Sequence, residues 1–195
     1  MLTPKDLVFA VLWLAASASA EVSRQPTALW AWLSGSADEA LAQLDAHREI
    51  VTHVSLGGYS VGADLRLTGS PNRTLLTVLK SYDITVHPLI GGGDIATLRA
   101  LFSNATATRL FAAEAAAEAS RLGLGGFNID FEPYKQGSTY ADAVLFAEFT
   151  DTLAKELHNS GNAKLSIDFF SNLAFWDIGA LNATTDVDYL ISMDT

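Results

Sequence analysis

The sequence contains no cysteine. Disulfides and cysteine-ligated zinc are therefore excluded, and whatever fold forms is held by its apolar core. Proline is scarce, at five in 195 residues, and half the chain is apolar, which does not fit a disordered protein. Basic residues are few: 12 Lys and Arg stand against 22 Asp and Glu, a net charge of -10. That balance disfavours nucleic acid and anionic membranes as partners, because gripping phosphate needs Lys and Arg clusters. The acidic surplus serves solubility. The four histidines are scattered without metal-ligand spacing, so no metal and no cofactor is expected. Beyond the first 20 residues no apolar run is long enough to cross a bilayer.

Those first 20 residues read as a cleaved signal peptide. Lys5 supplies a positive start, Leu7 to Ala16 is an apolar run, and Ala18-Ser19-Ala20 fits a small-residue cleavage site. The mature chain is then expected outside the cell or in a lysosome-like or vacuolar compartment, with no membrane attachment after cleavage. Sequons at Asn72, Asn104 and Asn182 are candidate glycosylation sites in such a pathway.

The stretch Gly125-Gly126-Phe127-Asn128-Ile129-Asp130-Phe131-Glu132-Pro133 carries the chemistry. Glycines stop a helix and start a strand, in which large apolar and polar residues alternate. Side chains on a strand alternate between faces, so Asn128, Asp130 and Glu132 share one face and the three apolar residues the other. A proline cannot donate to a ladder, so Pro133 leaves Glu132 at the C-terminal tip. Two carboxylates so placed repel, and repulsion with partial burial raises the pKa of at least one, as a general acid near neutral pH requires. The same spacing also fits a structural polar network satisfied by neighbouring strands.

Along the chain, strands and helices alternate. Strands are expected at Thr27 to Leu33, Val51 to Leu56, Thr85 to Ile90, the Asn128 segment, Lys164 to Phe169 and Asp188 to Met193. Helices are expected to about Glu49, at Asn72 to Ser81, from Asp94 to Phe102, from Asn104 or Thr106 to Leu122, and from Ser138 or Thr139 to about His158. Residues 59 to 72 read as an irregular loop. Short apolar strands alternating with helices indicate an α/β parallel sheet. An open doubly wound sheet and a (β/α)8 TIM barrel both fit. The barrel is favoured because no G-x-G-x-x-G opens a helix after the first strand, and because a carboxylate tips the fourth strand, where barrel sites lie. Six strands are two short of closure. Residues 21–195 therefore read as a barrel domain truncated before its last two β/α units.

The segment Gly126 to Glu132 resembles the D-G-x-D-x-D-x-E signature of glycoside hydrolase family 18, the chitinases and their relatives. Asn128 in place of the first Asp of D-x-D-x-E is most similar to the di-N-acetylchitobiase branch. The resemblance covers about residues 27 to 195, and the motif falls on the fourth strand, as in the family. Leu89 to Gly92 resembles the family's S-x-G-G segment, Leu165 to Asn172 its fifth strand, and Asp188 to Met193 the start of its sixth. Gly125 and Leu89 depart from the family's acidic residue and serine, and Thr195 stands where the sixth strand has tyrosine.

The resemblance implies a TIM-barrel glycosidase for an oligosaccharide containing β-1,4-linked N-acetylglucosamine, from chitin or an N-glycan core. It implies a retaining, substrate-assisted mechanism with Glu132 as general acid and base, Asp130 orienting the acetamido group and Asn128 a polar neighbour below it. Tyr134 is a candidate sugar-stacking residue, with surface packing as its alternative; Trp30, Phe169 and Trp176 are candidate substrate-binding aromatics, with core packing expected for at least one of Trp30 and Trp32; Asp168 is a candidate member of the inner network. His53 and His87 read as satisfied core groups. The competing readings are a chitinase-like lectin that binds without turnover, an inactive fragment, and an unrelated α/β domain.

Overall fold

The computed structural model describes residues 28–33, 37–170, 175–183 and 186–193, without the side chains of residues 43, 134 and 135. The expected signal segment lies outside the described residues. The strands are β1 (Trp30–Leu33), β2 (His53–Leu56), β3 (Tyr59–Val61), β4 (Leu67–Gly69), β5 (Thr85–Val86), β6 (Leu89–Gly91), β7 (Gly126–Asp130), β8 (Lys164–Phe169) and β9 (Tyr189–Ser192). The helices are α1 (Ala37–Asp45), α2 (Arg73–Ser81), α3 (Ile95–Ser103), α4 (Ala105–Leu122), α5 (Tyr140–Asn159) and α6 (Ile178–Ala183). Among the described residues no helix is long and apolar enough to cross a membrane.

The strands pair as β1-β2-β5 and β4-β3-β6-β7-β8-β9. All pairings are parallel except β3 with β4. β2 and β3 are two halves of one course broken at Gly57-Gly58, and β5 and β6 two halves of another broken at His87-Pro88. Pro88 has no N–H to give, but its carbonyl accepts from Asn128 N at 3.0 Å, so the ladder resumes beyond it. The sheet is thus six parallel courses in sequence order, with helices between them. It curls until the Trp30 ring of β1 stands 5.5 Å from the Tyr189 ring of β9. This is the α/β architecture of a (β/α)8 barrel, carried through six strands.

The helices cover the outer face. Phe127, Ile129 and Phe131 point there and are fully buried. The Phe131 ring lies 6.1 to 6.2 Å from those of Phe102 on α3 and of Phe146 and Phe149 on α5. Each such ring contributes about 1.5–3 kcal/mol by leaving water. Caps set the helix starts. Asn72 accepts from Leu75 N, Asp94 from Ala96 N and Thr97 N, and Asn104 from Thr106 N and Ala107 N. The sequon residues Asn72 and Asn104 are exposed caps, and Asn182 is exposed on α6.

Two expectations are corrected. Residues 59 to 72 are not an irregular loop throughout, because β3 and β4 close a hairpin with Tyr59 opposite Gly69 and Val61 opposite Leu67. Gly69 has φ +102, and a Cβ there would sit 2.0 Å from the Gly58 carbonyl oxygen, so only glycine fits. Glu114 on α4 binds Arg66 and accepts from Leu67 N at 3.2 Å, which ties the hairpin down. The expected continuous strand from Thr85 to Ile90 is likewise interrupted, by Pro88.

Candidate active site

Parallel strands all run from one end of the barrel to the other, so position along a strand is depth in the interior. The first inward layer is aromatic. Trp30 stacks on His53 at 4.8 Å and meets His87 edge-on at 4.8 Å, with Tyr189 packed against all three. Burial and the neighbouring His53 hold the His87 imidazole neutral, down to about 3. His53 shares a 2.8 Å hydrogen bond with Thr52 Oγ1. His87 is a core group but not the satisfied one expected: neither ring nitrogen has a well-formed hydrogen bond, although the Phe127 backbone lies close enough to favour its charged form.

The next layer is polar. Asn128 on β7 and Ser166 on β8 are paired in register. Asn128 is 0% exposed. Its Oδ1 accepts from Ser166 Oγ at 2.9 Å, which turns its Nδ2 to donate to Asp168 Oδ2 at 2.8 Å. Gly126 starts this strand because a Cβ there would meet the Lys164 carbonyl oxygen at 1.9 Å. The glycine of the motif is therefore a close-approach position between β7 and β8.

Above that layer stand two carboxylates. Asp130 is partly buried and Asp168 fully so. Asp168 Oδ2 also accepts from Trp32 Nε1 at 3.0 Å, a bond from β1 to β8 across the interior. Burial, the Asp168 charge and Glu132 push Asp130 up to about 6. Burial pushes Asp168 up to about 6 as well, against the pull of the Asn128 and Trp32 donors. One oxygen of each, Oδ1, is buried without a hydrogen-bond partner.

Glu132 lies two residues beyond the end of β7, exposed, where Pro133 opens a 3-10 turn through Gln136. The turn is anchored from behind. Gln136 Oε1 accepts from Ile95 N at 2.8 Å, and Arg99 donates to the Gly137 carbonyl and in a fork to Asp142. Asn128, Asp130 and Glu132 thus form one line from buried floor to open rim. Beside it a cavity of about 390 Å³ is lined by Trp32, Ser55, Leu56, Asn72, Leu75 and Leu89, among others. A cavity of about 420 Å³ between the hairpin and α4 lies elsewhere, and its Glu114, Glu118 and Arg121 are already paired. Among the described residues no three His, Asp or Glu side chains converge as metal ligands.

The structure brings Asn128, Asp130, Glu132 and Asp168 together. It separates the expected aromatic platforms from them. Trp30 is in the aromatic floor, and Trp32, two residues nearer the rim, is the exposed indole at 44%. Phe169 has the opposite parity to Asp168 and packs against the helix-side core. Trp176 is 2% exposed, enclosed with Phe170 and Phe175, and has no face to offer a ligand. The side chain of Tyr134 is outside the described set. Sequence reasoning weighed Trp30 and Trp32 together and put Trp30 at the site, and passed over Ser55 and Ser166; for Trp32 the signal was there, since the later of two inward residues on a strand lies nearer the rim.

No protein-family profile and no curated protein matches the chain. Solved structures do. A class V chitinase from Pseudomonas fluorescens superposes with a TM-score of 0.73 at 22% identity, covering 85% of this chain and 53% of that one. The spore cortex-lytic enzyme SleL of Bacillus megaterium gives 0.71 at 14% identity, over 85% and 41%. Catalytic domain 2 of a Group II chitinase from Ostrinia furnacalis gives 0.68 at 18% identity, over 87% and 50%. These likenesses establish the fold. The chain spans about half the length of the solved structures it matches.

Proposed function

We propose that this chain carries the acid–base site of a glycoside hydrolase of the family 18 type, cleaving β-1,4 bonds of N-acetylglucosamine oligosaccharides. The observation that carries the reading is the line from buried Asn128 through half-buried Asp130 to exposed Glu132 at the C-terminal rim of a barrel. Similarity in fold to proteins described as chitinases supports the choice of sugar. The motif's N-I-D-x-E form supports the di-N-acetylchitobiase branch within that family.

Glu132 is the group positioned to reach a sugar bound over the rim. Protonated, it gives its proton to the glycosidic oxygen as the bond to the anomeric carbon breaks. The acetamido oxygen of the same sugar closes onto that carbon from the opposite face, forming an oxazolinium ring. Asp130 accepts the acetamido N–H and balances the positive charge. Glu132, now a carboxylate, takes a proton from water as the water oxygen attacks the anomeric carbon and the ring reopens. Configuration is retained over the two displacements. No step calls on a metal or cofactor. The exposed indole of Trp32 offers a stacking face beside the line.

Glu132→Gln in the full-length protein tests this. Hydrolysis of N-acetylglucosamine oligomers should fall by about 10²–10⁴-fold or more while binding by calorimetry persists. Undiminished turnover would contradict the assignment. Binding by the wild type without any turnover would identify a lectin instead. Secretion and glycosylation at Asn72, Asn104 and Asn182 belong to the same proposal, and follow from the leader and the sequons alone.

A further inference from the structure

Asp168 has no task in the reaction just described, yet two donors from different strands converge on it inside the barrel. It stands on β8 at the position that continues the Ile129 to Ile167 pairing by one residue, and so lies beside Asp130. It is 1% exposed. Its Oδ2 takes two N–H donors, Trp32 Nε1 at 3.0 Å and Asn128 Nδ2 at 2.8 Å. Its Oδ1 and that of Asp130 are both buried and unpartnered. Two donors on one oxygen favour the anion at Asp168. Among the described residues Asp130 Oδ1 has no partner and its hydrogen-bond neighbour is the Glu132 carboxyl, not a pair of N–H donors, so a proton entering the pair goes to Asp130.

Resting on the hydrolase reading, we infer that Asp168 is the positioning residue for Asp130: an anion pinned on the neighbouring strand by Trp32 and Asn128, which does for Asp130 what a carboxylate at position 128 would do from the same strand. Asn128 is then no lost charge. Its amide, locked by Ser166, is the clamp that holds the charge one strand away. The titratable groups facing Asp168 are Asp130 and Glu132 from the β7 side. β1 presents the uncharged Trp32, and the β9 residue paired with Asp168 is Ile191. Lys164 and His158 bind Asp188 at the other end of β8, so among the described residues no cation answers the Asp168 charge. The field of Asp168 therefore falls on Asp130, keeps a proton there into mildly acidic pH, and leaves Asp130 able to donate to Glu132 or turn to a substrate amide.

The test is a carbon-13 NMR titration of the side-chain carboxyls in the folded chain. Asp168→Asn should lower the Asp130 midpoint by about one pH unit or more. Asn128→Asp combined with Asp168→Asn returns the anion to β7 and should bring the midpoint back towards that of the wild type. An Asp130 midpoint unmoved in folded Asp168→Asn would overturn the inference. Should that variant not fold, Trp32→Phe removes one donor and keeps the carboxylate; the Asp168 midpoint should rise and that of Asp130 fall, and no movement at either overturns it. In the full-length enzyme, Asp168→Asn should shift the basic limb of the kcat/KM profile to lower pH by about one unit, with KM little changed. An even loss of activity at every pH would mean a merely structural role. The NMR readout needs no turnover. If Glu132→Gln leaves hydrolysis intact, the hydrolase reading fails while the coupling of Asp130 to Asp168 is judged on its own.

Discussion

Trp30 and Trp32 share one face of one strand, yet the first is floor and the second is rim. The same two-residue step separates Asn128, wholly buried, from Asp130, and Asp130 from the exposed Glu132. Depth, not residue type, sorts their roles. The carboxylates pushed upward make a stability prediction with a definite sign. A group whose folded pKa is raised contributes stability that is fully present below its unfolded value and is lost as pH rises through the folded one. For Asp130, which takes the proton of the pair, that window runs from 3.8 to about 6. Between pH 4 and pH 8 the stability of Asp130→Asn relative to wild type should therefore improve. Urea titrations of both proteins at the two pH values check this; a difference independent of pH would contradict it. His87 has the opposite sign. Its folded pKa is depressed from 6.5 to about 3, so the stability it confers is present above pH 6.5 and is lost as pH falls towards 3. Replacing it with Gln, where folding survives, should flatten the acid side of a plot of Tm against pH.

Among the elements, the helix beginnings were the most legible part of the sequence. Asn72, Asp94, Asn104 and Thr139 each precede an apolar-periodic run, and each is where a helix starts. The hairpin β3–β4 was not legible. Its strands are three residues long, and the force that orders it is Glu114 on a distant helix. Nothing local marks such a tertiary tie. The Asn128 strand was legible in alternation and glycine start, and Asp168 as a candidate member of the inner network, but its place beside Asp130 was not, because that depends on register. The turn after Glu132 supplies an element-scale prediction. Thr139 N–H and Oγ1 both donate to Asp142, whose carboxyl the Arg99 guanidinium holds well below the usual range. Asp142→Asn should cost about 1–3 kcal/mol. A depressed carboxylate contributes stability present above its unfolded value, 3.8, and lost as pH falls. The gap between variant and wild type should thus be full at pH 7 and close in acid. An equal gap at pH 7 and pH 3 would count against the ion pair as its source.

For the whole molecule, order along the chain is order around the barrel. Sequential parallel courses bring the first strand's Trp32 to the fifth course's Asp168, so the site is assembled by the curl of the sheet and not by any one loop. That curl was legible only through the expectation of a truncated barrel, drawn from the βα alternation and the carboxylate at the tip of the fourth strand. The chain spans about half the length of its structural neighbours. The claim that matters most is that Glu132 delivers the proton to the leaving group. It is tested by comparing Glu132→Gln with wild type on two substrates, an N-acetylglucosamine oligomer with a poor sugar leaving group and an aryl glycoside whose leaving group departs without protonation. The account predicts a loss of about 10²–10⁴-fold on the oligomer and a much smaller loss in cleavage of the aryl glycoside. Equal losses on both, or none on the oligomer, would contradict it.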